Sequence, residues 1–309
     1  MSQDMSTHEG ASDDLALSIR GLVKQFGDFR LGPLDLDLER GTVLAYIGPN
    51  GAGKTTTLHC VMGLMRSDAG EILVGGRRNE TEHPAWKQDV GFVGEVQGHY
   101  QRWTVGKNLD FLSRFYRSWS SERASELAGR FDLHLDKKVM DLSRGNKTKL
   151  ALVAALAHDP DLLILDEPTN GLDPVVRSEV LDVLWEYMEH GDKAILYSTH
   201  VLSDISRLAD ELVFLRDGHL VRRTTKDALT EGWRRFSFRW SDESHELPAI
   251  RGGHRQRSSA ADHEVISSDH EETQAHLGEL RAEGVQSTRL TLDEITIEIL
   301  KEGHRAGPA

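Results

Sequence analysis

Apolar residues alternate with polar ones at Leu15, Leu17 and Ile19 and again at Leu34, Leu36 and Leu38, the period of two that a strand with one buried face imposes. Val43–Ile47 is apolar at every position and runs into a glycine-rich stretch, so a fully buried strand is expected to feed a loop. From Gly53 the spacing changes: Leu58, Val61, Met62 and Met65 recur at three and four residues and predict a helix ending near Ser67 to Gly70. Val105, Leu109, Leu112, Tyr116 and Trp119 form another stripe at helical spacing, expected to be core, and Ser143 to His158 gives a further helix. Residues 99–158 therefore read as mainly helical. Downstream the order alternates: strand Leu162–Asp166, helix Pro174–His190, strand Ala194–Ser198, helix His200–Ala209, strand Glu211–Leu215. Such alternation predicts a largely parallel sheet covered by helices.

Past Val221 the chain turns polar and histidine-rich. A strand is expected at Phe236, Phe238 and Trp240 and a loop around Arg251 to Ala261, together forming a smaller second domain over 223–309. His245, His254, His263, His270 and His276 lack close ligand spacing and have no cysteine partners, so they read as solvated surface residues rather than a metal site. The first 14 residues are acidic, without a basic start and an apolar stretch, and read as a disordered tail rather than a secretory signal.

Composition narrows the possibilities. The 309 residues, 38% of them hydrophobic, suffice for about two domains. The longest apolar run, Leu150 to Ala157, is eight residues, far short of the ~18–20 a membrane-crossing helix needs. A cytosolic protein is expected. The 37 basic and 50 acidic residues leave a net charge of −13, which opposes non-specific adhesion to nucleic acid. The single cysteine, Cys60, cannot form an internal disulfide and reads as a small core residue.

Gly48-Pro49-Asn50-Gly51-Ala52-Gly53-Lys54-Thr55 fits the phosphate-loop pattern, two glycines with four residues between them followed by Lys and Ser/Thr, between a buried strand and a helix. Small residues let backbone N–H groups face the phosphates, the helix start adds its positive end, and Lys54 supplies a mobile cation. Thr55 can offer its hydroxyl to Mg²⁺, with Thr56 beside it. Leu162–Leu165 is an apolar strand that delivers Asp166 and Glu167 at its end, where open α/β sheets place their ligands. Asp166 is expected in the Mg²⁺ shell, and Glu167 is placed to activate a water against the γ-phosphate of ATP.

Between these two motifs lies Leu142-Ser143-Arg144-Gly145-Asn146, just ahead of a helix, and it resembles the signature of ABC ATPases. The resemblance extends to Phe26, similar to the aromatic that stacks on adenine, to Thr169–Pro174, similar to the D-loop that includes Asp173, and to His200, similar to the switch histidine. It covers residues 15–222. It implies an α/β P-loop NTPase cassette with a RecA-like core, an antiparallel β subdomain and a helical subdomain, followed by a small C-terminal α+β domain. It further implies ATP hydrolysis with Mg²⁺ in a head-to-tail homodimer, or a pair with a related subunit, where the partner's Ser143 and Gly145 complete each site.

The sequence departs from the family pattern at Arg144 and Asn146, where glycine and glutamine are commonest. Arg144 either adds charge opposite the phosphates or points to solvent. Glu95, ending Gly91-Phe92-Val93-Gly94-Glu95, stands where the family has a glutamine that senses Mg²⁺ and the permease, with Gln97 nearby. Both variants resemble ATPase subunits of export systems with a separately encoded membrane-spanning permease. That implies a peripheral position on the cytoplasmic face of the membrane, with a permease helix received near Glu95 to Trp119 and Tyr100 and Trp103 as candidate contacts. The ending from Gly284 through Leu292 to Leu300 resembles that of many exporter ATPases, a strand then a short helix; alternatively it is a generic appendage for dimer contacts or regulation. The rival reading is a soluble ABC ATPase acting on ribosomes or DNA, which usually carries two cassettes or a long coiled-coil insertion; neither occurs in this sequence.

Overall fold

The computed structural model describes residues 14–302 except 81, 97, 190, 241–246, 260 and 261. The expected acidic tail, but for Asp14, lies outside the described residues, as do Gln97 and His245. The chain divides into two compact units, Met1–Leu220 and Val221–Ala309. The first runs β1 (Leu15–Phe26), β2 (Phe29–Glu39), β3 (Val43–Ile47), α1 (Lys54–Val61), β4 (Ala69–Val74), β5 (Arg77–Arg78), β6 (Val90–Val93), α2 (Val105–Leu112), α3 (Ser121–Arg130), α4 (Arg144–Leu156), β7 (Leu162–Asp166), α5 (Pro174–Met188), β8 (Ala194–Thr199), α6 (Leu202–Leu208) and β9 (Glu211–Arg216), with β10 (His219–Thr225) at its end.

The alternating leucines make an antiparallel sheet of order β2-β1-β4-β5, in which Leu17 faces Leu38 and Ile19 faces Leu36. The wholly apolar strands make the central sheet, order β10-β9-β3-β8-β7-β6, with β3 parallel to β8 and β9, and β7 parallel to β6 and β8. Their continuous hydrophobicity follows from burial on both faces. Val43, Leu163, Leu165, Ile195 and Tyr197 join a cluster with α4 and α5. Their neighbours Leu44, Tyr46, Leu162, Ile164 and Leu196 join the opposite cluster with α1 and the antiparallel sheet. Successive side chains thus serve opposite cores, each buried leucine contributing about 1.5–3 kcal/mol. Cys60 is buried and free.

Three sequence expectations change here. Helix α1 stops at Val61 rather than near Ser67, because Gly63 takes a φ of +61° and Leu64 N donates back to His59 O at 2.9 Å, closing the helix as a left-handed glycine does. The stripe from Val105 to Trp119 is not one helix. α2 ends at Leu112, Val105 and Leu109 are buried, and Leu112, Tyr116 and Trp119 are only half-buried. The helix expected from His200 begins at Leu202, which leaves His200 in the loop.

The second unit continues with α7 (Lys226–Gly232), β11 (Arg234–Arg239), β12 (Gly253–Ser259), β13 (Asp262–Ser267), α8 (His270–Glu279), β14 (Glu283–Arg289) and α9 (Leu292–Glu302). Its antiparallel sheet has the order β12-β13-β11-β14. The loop expected around Arg251 to Ala261 is in fact mostly the edge strand β12. Its side chains are half-buried or exposed, so it carries none of the apolar alternation that marks a strand in sequence. Nor are all the histidines solvated. His263 is buried, held by Ser258 Oγ at 2.8 Å and Trp240 O at 3.0 Å, and half-buried His254 stacks on Trp233 at 4.7 Å.

In the first unit His158 is buried against the Tyr116 ring at 3.9 Å and meets Val90 O through Nε2 at 3.1 Å. Desolvation lowers its pKa below the ordinary 6.5, partly opposed by that carbonyl. The fold therefore holds it neutral, and stability is full above pH 6.5 and falls as the pH drops below that value, because the unfolded chain binds the extra proton. Burial lowers His99 and His254 too. Urea titrations at pH 7.5 and 5.5 are expected to show lower stability at 5.5, and His158→Gln to remove part of that difference.

Candidate active site

The phosphate loop is fixed before any ligand enters. A Cβ on Gly48 would lie 2.4 Å from Leu215 O, and Gly53 precedes α1 with a φ of +108° that a side chain rarely adopts. Thr57 pins the helix start by donating from Oγ1 to Gly53 O at 3.0 Å, while the Tyr46 hydroxyl lies 3.2 Å from Thr57 Oγ1. Lys54 is 6% exposed and bends back so that Nζ donates to Gly48 O at 2.8 Å and to Pro49 O at 3.4 Å. The loop and Thr55 and Thr56 line a cleft of about 660 Å³ together with Phe29, Glu95, Glu167 and Asn170.

Strand β7 brings the two acids to this place with different surroundings. Asp166 is fully buried and accepts from Ser198 Oγ on neighbouring β8 at 2.7 Å through Oδ1; its buried Oδ2 has no hydrogen-bond partner. Glu167 turns out of the strand with a φ of +50°, an uncommon conformation for a residue with a side chain. Its carboxylate lies between two cations or donors: Oε1 is 3.1 Å from Lys54 Nζ, and Oε2 accepts from His200 Nδ1 at 2.7 Å and from His200 N at 3.3 Å. The phosphate loop and Glu167 thus line one cleft, with Asp166 buried just before Glu167 in the chain and His200 hydrogen-bonded to the Glu167 carboxylate.

Other expected residues lie elsewhere in this chain. Phe26 is 42% exposed at the end of β1, with Lys24 Nζ 5.4 Å from its ring, and does not line the cleft. Its cross-strand partner Phe29 does. The signal for Phe29 was the Gly27-Asp28 turn, which pairs the two residues across the hairpin and brings Phe29 back towards Gly53. Ser143 caps α4, its Oγ accepting from Asn146 N at 3.2 Å, and Asp173 caps α5, accepting from Val175 N and Val176 N at 3.0 and 3.1 Å. Gly145 packs against Val176. The Arg144 guanidinium lies over Gly171, whose added Cβ would be 2.8 Å from Nη1. Two residues not singled out by sequence complete the surroundings: Ser198, which orients Asp166, and Asp204, buried beside Thr169 and Tyr197. Their types, a serine in a strand and an aspartate in an amphipathic helix, carried no distinguishing signal.

Comparison with known proteins identifies the family. The family model described as ABC transporter matches residues 31–170. The chain is 34% identical to the ABC transporter ATP-binding protein YtrB of Bacillus subtilis, over 70% of this chain and 74% of that one. It is 35% identical to the Nod factor export ATP-binding protein I of Burkholderia lata, over 70% and 72%. A solved ATP-binding subunit of an ABC transporter superposes with a TM-score of 0.64 at 29% identity, covering 70% of this chain and 92% of that one. The chain belongs to the family of ABC transporter ATP-binding proteins, and its cassette is an ATPase of the P-loop class. Among the described residues no helix is long and apolar enough to cross a membrane.

A methyl group on Gly53 would meet Leu31 Cδ1 at 2.7 Å in a strained backbone, at a cost of about 1–3 kcal/mol. Gly53→Ala is expected to weaken ATP binding about tenfold or more, measured by calorimetric titration, while circular dichroism shows the rest of the chain folded.

Proposed function

We propose that this chain hydrolyses ATP to drive export through a separate membrane-spanning permease, with Glu167 as general base. The observation that carries the reading is the Glu167 carboxylate, held between Lys54 and His200 inside the phosphate-loop cleft. Glu167 takes a proton from water as the water oxygen attacks the γ-phosphorus; the bond from that phosphorus to the β–γ bridging oxygen breaks, and ADP leaves with the electron pair. His200 orients the carboxylate through Nδ1, and Lys54 and the loop N–H groups take up charge on the phosphates. Phe29 offers a ring at the cleft, with Phe26 beside it in the same turn. Asp166, Thr55 and Glu95 are the residues that would hold Mg²⁺, and the buried, unpartnered Oδ2 of Asp166 is the kind of oxygen a hydrated divalent cation satisfies. Bound there, Mg²⁺ neutralises phosphate charge.

Two copies pair head to tail in this reading, each lending Ser143 and Gly145 to the other's ATP. The exposed position of Ser143 at the start of α4 supports that role. Tyr100 and Trp103, 50% and 38% exposed and stacked at 4.3 Å, form an aromatic patch with Phe111 and with Phe115, which is 58% exposed. A patch of this kind, a short way past Glu95 in the chain, suits a helix of the permease. Export rests on likeness to relatives such as the Nod factor protein.

Glu167→Gln is expected to keep ATP binding, to lose hydrolysis by about 100-fold or more, within the range general-base removal produces, and to elute as a dimer with ATP; turnover at the wild-type rate would remove Glu167 from the mechanism. Affinity purification of the tagged chain from gently solubilised membranes is expected to recover a multi-span membrane protein in stoichiometric, ATP-sensitive amount. Recovery of ribosomal or DNA-repair proteins instead would point to the soluble class.

A further inference from the structure

Glu167 and His200 stand on two separate loops, one leaving β7 and one leaving β8, and their 2.7 Å contact requires those loops to keep a fixed separation. The residue that joins them is buried outside the cleft. Asp204, four residues past His200 in the first turn of α6, is 1% exposed. Its Oδ2 accepts from Thr169 Oγ1, two residues past Glu167, and from the Tyr197 hydroxyl, three residues before His200, at 2.9 Å. Thr169 is itself fully buried. Oδ1 faces Arg177 Nε at 3.9 Å on α5, the helix that follows the Thr169 loop.

A carboxylate taken out of water is costly unless paired and hydrogen-bonded, and apolar side chains could fill the same space. What the carboxylate does that they cannot is to accept two hydroxyl protons at one oxygen. With both protons directed to Oδ2, the 3.0 Å Thr169–Tyr197 contact is an approach imposed by the shared acceptor. Burial and the Asp204 charge push the Tyr197 hydroxyl well above the usual tyrosine range, which keeps it a donor. The unusual backbone of Glu167 needs surroundings that over-determine it, and Thr169 supplies one such tether.

We propose that Asp204 is a positioning residue for ATP hydrolysis, holding Thr169 and Tyr197 on one oxygen so that the loops of Glu167 and His200 stay in register. The inference rests on the reading of Glu167 and His200 as the hydrolytic pair. It concerns geometry alone, since Asp204 touches neither.

The test uses the full chain, with phosphate release followed by radiolabelled ATP. Asp204→Asn keeps the shape of the side chain. It is expected to lower kcat about 10- to 100-fold, the loss that a misplacement of about 1 Å brings, while the Kd for ATP stays within about twofold. Tyr197→Phe, which removes one of the two donors, is expected to lose less in the same sense, and it carries the test if Asp204→Asn does not fold. In the His200→Ala background neither substitution is expected to reduce the residual rate further, because the contact they maintain is already gone. A folded Asp204→Asn with wild-type kcat, or a full multiplicative loss on top of His200→Ala, would overturn the proposal. His200→Ala at the wild-type rate would instead overturn the underlying reading of the pair, so the two failures are distinct.

Discussion

Burial of the central strands on both faces governs where chemistry can occur in this molecule. Val43–Ile47, Leu162–Leu165 and Ala194–Leu196 send alternate side chains into two apolar clusters, so a charged group within these spans would be stranded between them. Polar functions are therefore displaced to the strand ends. Asp166 is the last residue of β7, and the phosphate loop follows the last residue of β3. Parallel pairing puts these ends on the same side of the sheet, which is why Lys54, Asp166, Glu167 and His200 can gather without any one element carrying more than two of them.

The gathering has an electrostatic cost. Lys54 and Glu167 are nearly out of solvent, and neither would be stable there alone. Lys54 is compensated by two loop carbonyls and by Glu167, and Glu167 by Lys54 and two nitrogens of His200. The groups that would meet a triphosphate are thus already oriented against one another, with little left to reorganise when phosphate oxygens take over part of the coordination.

Much of this was legible in sequence because the relevant residues either recur with a period or form a contiguous motif. The apolar runs identified β3, β7 and β8, and the phosphate loop and the acids followed from adjacency. What was missed depends on contacts across the chain. Phe29 was overlooked because hairpin register, not spacing, decides which of two rings faces the cleft. Edge strand β12 has no apolar face to betray it, and the early stop of α1 turns on one glycine's positive φ. Asp204 is a single carboxylate in a short helix, and only its partners from β8 and the Thr169 loop give it meaning.

The contact of Arg144 with Gly171 links the start of α4 to the loop that follows β7. With no side chain at Gly171, the guanidinium can lie where an added Cβ would come within 2.8 Å of Nη1. The two positions are therefore coupled through the space they share. A side chain at 171 would have to push the Arg144 guanidinium aside and adopt a φ of +70°, so the room that Arg144 occupies depends on glycine at that position. The departure from the common signature is thus accommodated within the chain, by a backbone that offers room for it.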